Sequence, residues 1–96
     1  MLSYRLLYSE TSTKQIKSLH PRLKPLARKH IEELRQAPFL GKPLERELSG
    51  YYSLSAKRFR IIYDLDHPNH LVRIHSLGPR KDIYEVFREW LSKDRD

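Results

Sequence analysis

Cations recur at alternate positions in the second half of the chain, Arg58 with Arg60 and then Arg73 with His75. Each pair sits in a stretch of period two, the pattern of a half-buried strand. Three such stretches, residues 51–56, 58–65 and 71–77, can be split by parity. Tyr52, Leu54, Phe59, Ile61, Tyr63, Leu65, Val72 and Ile74 point one way. Ser53, Ser55, Arg58, Arg60, Arg73 and His75 collect on the other side together with Leu77, and Lys57 lies at the edge. The next segment adds Arg80, Lys81 and Tyr84, with Arg80 and Tyr84 spaced i, i+4 at a helix start. Arginine forks hold two phosphate oxygens at once, and an aromatic ring at their rim can stack on a base. Attack of an RNA 2′-hydroxyl on its own phosphate needs such cations, a proton acceptor and a proton donor. It needs no cofactor or metal. The plainer reading is the wet face of an antiparallel sheet, with Tyr84 packed beside Phe87.

The other histidines offer less. His30 falls on an apolar helix stripe and reads as a packed side chain; His67 and His70 flank a turn and read as solvated. No thiol or carboxylate cluster accompanies them, so no metal site is expected.

These residues must be positioned by a small set of elements. Tyr4, Leu6 and Tyr8 alternate as a first strand. Ser12 and Gln15 fit a capping box opening a helix that runs to about Leu19, and His20-Pro21 breaks it. A second helix runs from Pro21 or Lys24 to Gln36, with Leu23, Leu26, Ala27, His30, Ile31 and Leu34 in one stripe. A start at Pro21 would leave Pro25 as a kink. The short connection implies an antiparallel helical hairpin. Residues 38–43 read as a loop, residues 66–69 as a turn, and the final helix begins near Arg80 with Ile83, Val86, Phe87, Trp90 and Leu91 on one face. The order is β-α-α-β-β-β-α: an α+β domain with an about four-stranded, mainly antiparallel sheet, an N-terminal helical hairpin and a C-terminal helix. One sheet face is expected to take the helices, leaving the other cationic and open.

The bulk composition agrees with that reading. Ninety-six residues suit a single domain spanning 1–96. Nineteen Lys and Arg against twelve Asp and Glu give a net charge of +7, and the sequence pI is about 9.9. Such a balance is the footprint of an anionic partner, often nucleic acid. Zero cysteines exclude disulfide frameworks, thiolate zinc sites and cysteine nucleophiles together. No export signal or run of about 20 apolar residues is visible, so a cytoplasmic protein without membrane contact is expected.

The element order, Arg60-Ile61-Ile62-Tyr63 and Leu77-Gly78-Pro79-Arg80-Lys81-Asp82-Ile83-Tyr84 together resemble the RelE/ParE superfamily of bacterial toxins. The resemblance covers about residues 3–91, and Arg60, Arg80 and Tyr84 favour the RelE-like branch. It implies the toxin of a type II toxin–antitoxin pair that cleaves mRNA in the ribosomal A site and leaves a cyclic phosphate. By the same resemblance Arg60 stabilises the phosphate, Arg80 acts as leaving-group acid or charge stabiliser, and Tyr84 stacks on or orients the base. Lys57, Arg58, Arg73, Lys81, Ser53 and Ser55 would line the RNA path. Partners implied are a cognate antitoxin, the ribosome with mRNA, and operator DNA only through the antitoxin complex. Ser53 and Ser55 stand where some RelE-like toxins carry lysines, one of them proposed as general base, and Pro79 where many relatives have His or Lys. The acceptor is then His75, or activity rests on charge stabilisation alone. A ParE-like inhibitor of DNA gyrase, or an inactive relative binding antitoxin and operator, are the alternatives.

Overall fold

A computed structural model describes residues 3–79 and 83–94, apart from the side chains at 86, 90, 93 and 94. In chain order the elements are β1 (Arg5–Tyr8), α1 (Glu10–Ser18), α2 (Lys24–Glu33), β2 (Lys42–Pro43), a 3-10 turn (Arg46–Leu48), β3 (Tyr51–Ala56), β4 (Phe59–Asp66), β5 (Leu71–Pro79) and α3 (Ile83–Asp94). The α+β class and element order match expectation, with a five-stranded sheet in the order β1-β5-β4-β3-β2. The fifth strand, β2, is two residues long and lies within the segment read as a loop; it pairs Lys42 with Ser53. Only β1 runs parallel to its neighbour, β5, because the helical pair α1–α2 carries the chain back across the sheet before β5 is laid down.

Helix α1 begins one turn earlier than the capping box on Ser12 predicts. The Ser9 hydroxyl accepts the Ser12 N–H at 2.9 Å and is the N-cap. Gln15 reaches the sheet instead, its Oε1 accepting from Leu77 N at 2.7 Å and from Ser76 Oγ at 3.2 Å. Ser9 Oγ donates to the His75 carbonyl at 2.7 Å, and Ser12 Oγ to that of Ile74 at 3.1 Å. Where β1 ends, α1 therefore supplies the partners that the β5 backbone requires. Helix α2 starts at Lys24, which puts Pro25 in the first turn where a missing N–H costs nothing.

The hairpins follow composition. Asp66 accepts from Asn69 N at 3.2 Å and Nδ2 at 2.9 Å, closing the expected turn. Lys57 and Arg58 form the β3–β4 connection, Lys57 at φ 51, so Arg58 is an exposed turn residue rather than the first residue of the strand. Both histidines of the β4–β5 turn have partners: Tyr4 Oη lies 2.8 Å from His67 Nδ1, and the Tyr4 ring meets His70 edge-on at 5.3 Å.

Parity predicts the sheet faces as far as one irregularity. Between Ile62 and Tyr63 the β4–β5 register shifts, Tyr63 facing Ile74 and Ile62 facing Ser76, which makes His75 an extra residue. Beyond it Leu77 returns to the apolar side and is buried against Ile61, correcting its placement on the polar face. The main core joins Ile16, Ala27, Ile31 and Leu34 of the helical segment to Leu54, Phe59, Ile61, Tyr63, Val72 and Ile74. A second cluster of Leu48, Ile62, Ile83 and Phe87 lies on the opposite face under α3. The helices are thus divided between the two faces, and the expected open cationic face is partly roofed. Ile62, apolar among polar neighbours, is the residue α3 covers.

A buried phenol anchors the loop before β2. Tyr63 Oη donates to the Pro38 carbonyl at 2.9 Å and accepts from Gly41 N at 2.8 Å. Burial pushes this hydroxyl up to a pKa of about 12, against the opposing pull of the Gly41 N–H. A Cβ on Gly41 would stand 2.6 Å from that oxygen, so the position requires glycine.

Candidate functional site

Under the first turn of α3 the structure brings together Arg60 of β4, Tyr84 of α3 and Ser53 of β3. Arg60 faces Ser55 across one ladder and Gly78 across the other. Gly78 leaves room for the roof, since a Cβ there would lie 3.2 Å from Ile83 Cδ1. The Arg60 guanidinium carbon is 5.6 Å from the Tyr84 ring centroid, a cation–π contact. Tyr84 Oη donates to Ser53 Oγ at 3.0 Å, which fixes the ring. Arg60 Nε is buried without a hydrogen-bond partner, and among the described residues Arg60 has no carboxylate within ion-pair distance. A guanidinium held by a ring face, with no counter-ion among the described residues, has hydrogen-bonding capacity that an oxyanion could use.

A second group lies on the same sheet face. The Asp64 carboxylate takes a side-on pair of bonds from Arg73, Nε to Oδ1 at 2.8 Å and Nη2 to Oδ2 at 2.7 Å. His75 Nε2 lies 2.8 Å from the same Oδ1, which makes it the donor. Burial alone would raise the Asp64 pKa; the hydrogen bonds from His75 and then Arg73 outweigh it and hold the carboxyl below the ordinary range. The bond to Asp64 raises Arg73 above its usual value. His75 also meets Tyr51 edge-on at 5.2 Å and Phe87 at 6.0 Å.

The predicted residues therefore divide. Arg60 and Asp64 stand four positions apart on β4, about 13 Å along the strand, and Ile62 with Phe87 fills the interval. His75 is not brought beside Arg60 and Tyr84, and the charge of Arg73 is met by Asp64 rather than left for a phosphate. Ser53, expected on an open RNA path, is only 3% exposed because Tyr84 and β2 cover it. Ser55, Lys57 and Arg58 are exposed beside Arg60 at the hairpin end of the sheet. Arg80 and Lys81 lie outside the described residues. Sequence reasoning gave Asp64 no role. The signal was there, since an acid on Arg60's parity in a strand preceding Arg73 becomes its cross-strand neighbour once the turn closes.

Among the described residues no three His, Cys, Asp or Glu side chains gather as a metal site, and no helix is long and apolar enough to cross a membrane.

Known proteins share this arrangement of elements. Residues 4–84 match the family described as "ParE toxin of type II toxin-antitoxin system, parDE". The toxin RelG of Mycobacterium tuberculosis is 31% identical over 85 residues, spanning 86% of this chain and 98% of RelG. The crystal structure of the toxin–antitoxin complex RelBE2 from M. tuberculosis superposes with a TM-score of 0.77 at 27% identity, covering 82% of this chain and all of that one. The isolated Escherichia coli RelE toxin has the same fold, with a TM-score of 0.71 at 18% identity over 93% of this chain and 99% of RelE. The chain thus belongs to the ParE toxin family of type II toxin–antitoxin systems, within the RelE/ParE superfamily.

Proposed function

We propose that this toxin is a ribosome-dependent endoribonuclease that arrests translation by cutting mRNA in the A site. The observation that carries the reading is Arg60, a guanidinium seated on the Tyr84 ring with a buried Nε and no carboxylate partner among the described residues. In the reaction the 2′-oxygen gives up its proton to water and bonds to phosphorus, and the bond to the 5′-oxygen breaks as that oxygen takes up a proton. The products are a cyclic phosphate and a 5′-hydroxyl. Arg60 stabilises the added charge on the phosphoryl oxygens, and Tyr84 positions the base. Arg80, named by the resemblance, protonates or stabilises the leaving oxygen. The serines at 53 and 55 supply no strong base and His75 is held by Asp64, so charge stabilisation carries most of the rate.

A cognate antitoxin is the expected partner, supported by the 27%-identical M. tuberculosis structure being a toxin–antitoxin complex. Operator DNA is reached through that complex, and the site of action is the cytoplasm.

Induction of the wild type followed by primer extension tests the proposal. Cuts within translated codons, lost in Arg60→Ala, support it; growth arrest with intact mRNA refutes it. The second reading is gyrase inhibition by protein contact, favoured by the family description and by serines in place of lysines. An SOS response without mRNA cuts is its signature.

A further inference from the structure

β1 is an outer strand of the sheet, with β5 on one side and no strand on the other among the described residues. Arg5 N donates to the His70 carbonyl at 2.8 Å and Ser9 N to that of Ile74 at 2.9 Å. In a parallel ladder the bonded residues alternate, so Leu7 also faces β5 while Leu6 and Tyr8 turn their N–H and C=O groups outward. The Arg35 carbonyl closes this edge at Tyr4, whose N–H it accepts at 2.9 Å. Beyond that point the edge is accessible, with Leu7 48% and Tyr8 43% exposed. Clefts flank it on both sides. Toward the helices, Tyr8, Thr13, Ile16, Lys17 and Arg28 line a mainly apolar cleft of about 270 Å³. Toward the α3 face, Leu7 and Ile74 border a smaller one of about 190 Å³. Arg5, Lys17 and Arg28 are exposed, and none has a carboxylate within ion-pair distance among the described residues. The acid nearby, Glu32, is taken by Arg35 at 3.3 Å. Burial and then Glu32 raise the Tyr8 pKa, and Arg28 and Arg35 pull it down.

We propose that the open edge of β1 is a docking site for an acidic, extended segment of a protein partner, which adds to the sheet as a further strand. The segment's backbone bonds to Leu6 and Tyr8, an apolar side chain enters the cleft floored by Tyr8 and Ile16, and carboxylates face Lys17, Arg28 and Arg5. The inference does not rest on the nuclease reading, since no residue of the Arg60 group takes part. A second copy of this chain fits less well. Edge against edge, two molecules of net charge +7 would bring the same three cations of each together. Nucleic acid would meet the cations, but it has no peptide groups to answer an alternating ladder.

The test is amide exchange by NMR on the full-length chain, with an acetylated heptapeptide of alternating valine and glutamate as the probe. With peptide at about ten times its Kd, exchange at Leu6 and Tyr8 should slow roughly tenfold. The Arg5 and Leu7 amides, already turned to β5, should change little. The same peptide with lysine in place of glutamate should give no protection. Reversing the two exposed cleft cations, Lys17→Glu with Arg28→Glu, should exchange the preference between the two peptides. Unchanged exchange at Leu6 and Tyr8 in roughly millimolar glutamate peptide overturns the proposal. So does equal protection by the lysine peptide, or slowing that is the same at all four amides. Protection in concentrated protein without peptide, accompanied by a dimer in sedimentation, gives the edge to a second copy instead. Equal protection by an oligouridylate gives it to RNA. The wild-type arms decide the matter even where the doubly reversed variant folds poorly. A chain that cuts no mRNA but takes up the glutamate peptide loses the nuclease reading and keeps this one, and the converse result does the reverse.

Discussion

Replacing Arg60 by methionine should remove activity and leave the fold almost unchanged. Methionine keeps the apolar stem that packs between β3 and β5 and deletes only the guanidinium. Three effects then compete in the folded state. The contact between the guanidinium and the Tyr84 ring, 5.6 Å from carbon to centroid, is lost, costing about 0.5–2 kcal/mol. The buried Nε that finds no partner is removed, relieving a desolvation cost of about 1–3 kcal/mol. The flexible thioether fills the stem's volume at a cost under about 1.5 kcal/mol. The net is expected within about 1 kcal/mol of zero, a melting shift of no more than about 4–8 °C for a domain of this size. Catalysis has no such compensation: losing one preorganised donor to a developing oxyanion costs about 100- to 1,000-fold in rate. Thermal unfolding by circular dichroism and single-turnover cleavage of ribosome-bound mRNA read the two quantities separately. Arg60→Lys should recover part of the rate, because it restores charge without the fork. A methionine variant that cleaves at the wild-type rate, or unfolds more than about 10 °C lower, would refute the assignment and make Arg60 a structural residue.

Tyr63→Phe strands the Gly41 N–H and the Pro38 carbonyl and should cost about 2–4 kcal/mol, read by urea unfolding. Gly41→Ala should cost at least as much, its methyl colliding with the same oxygen. Ser9→Ala removes both the α1 cap and the bond to the His75 carbonyl, with an expected loss of about 2 kcal/mol. Tyr84→Phe and Ser53→Ala each break the same 3.0 Å bond, so a double-mutant cycle on cleavage should give the double variant nearly the rate of either single one. In acid titrations of stability, Asp64→Asn should flatten the loss seen below about pH 4, because the carboxyl held low in the folded state can no longer take up a proton there.

Local patterns carried the fold most of the way. Alternation located β3, β4 and β5 because each pairs with a sequence neighbour through a short turn, so local and tertiary signals coincide. The helical stripe of Leu23, Ala27, Ile31 and Leu34 failed only at its ends, where Pro25 and the turn after Glu33 decide the boundary. What the residues could not announce was long-range. The N-cap moved to Ser9 because that serine also meets β5, 66 residues away. The fifth strand is two residues long and is defined by its pairing with Ser53 and Tyr52 of β3. The extra residue at His75 exists only in the pairing with β4, and it moves Leu77 across the sheet.

The candidate site shows the same limit in charge rather than register. Parity put Arg60, Arg73 and His75 on one face, and they are on one face; counted together they describe a cationic strip. Counter-ions divide that strip. Arg73 and His75 share the Asp64 carboxylate at 2.7–2.8 Å, as Arg88 is met by Glu47 and Arg35 by Glu32 at longer, exposed contacts. Exposed pairs of that kind are worth little and yield to a stronger anion, but a side-on carboxylate fork does not readily exchange its partner. Arg73 is consequently a poor candidate for a phosphate despite its position, and on the nuclease reading Arg60 is the better one. The net charge of +7 draws a polyanion toward the molecule from any side. On the nuclease reading, what selects the site is an arginine that lies against the face of a ring with no carboxylate partner among the described residues, so that its buried Nε would gain a bond when an oxyanion arrives.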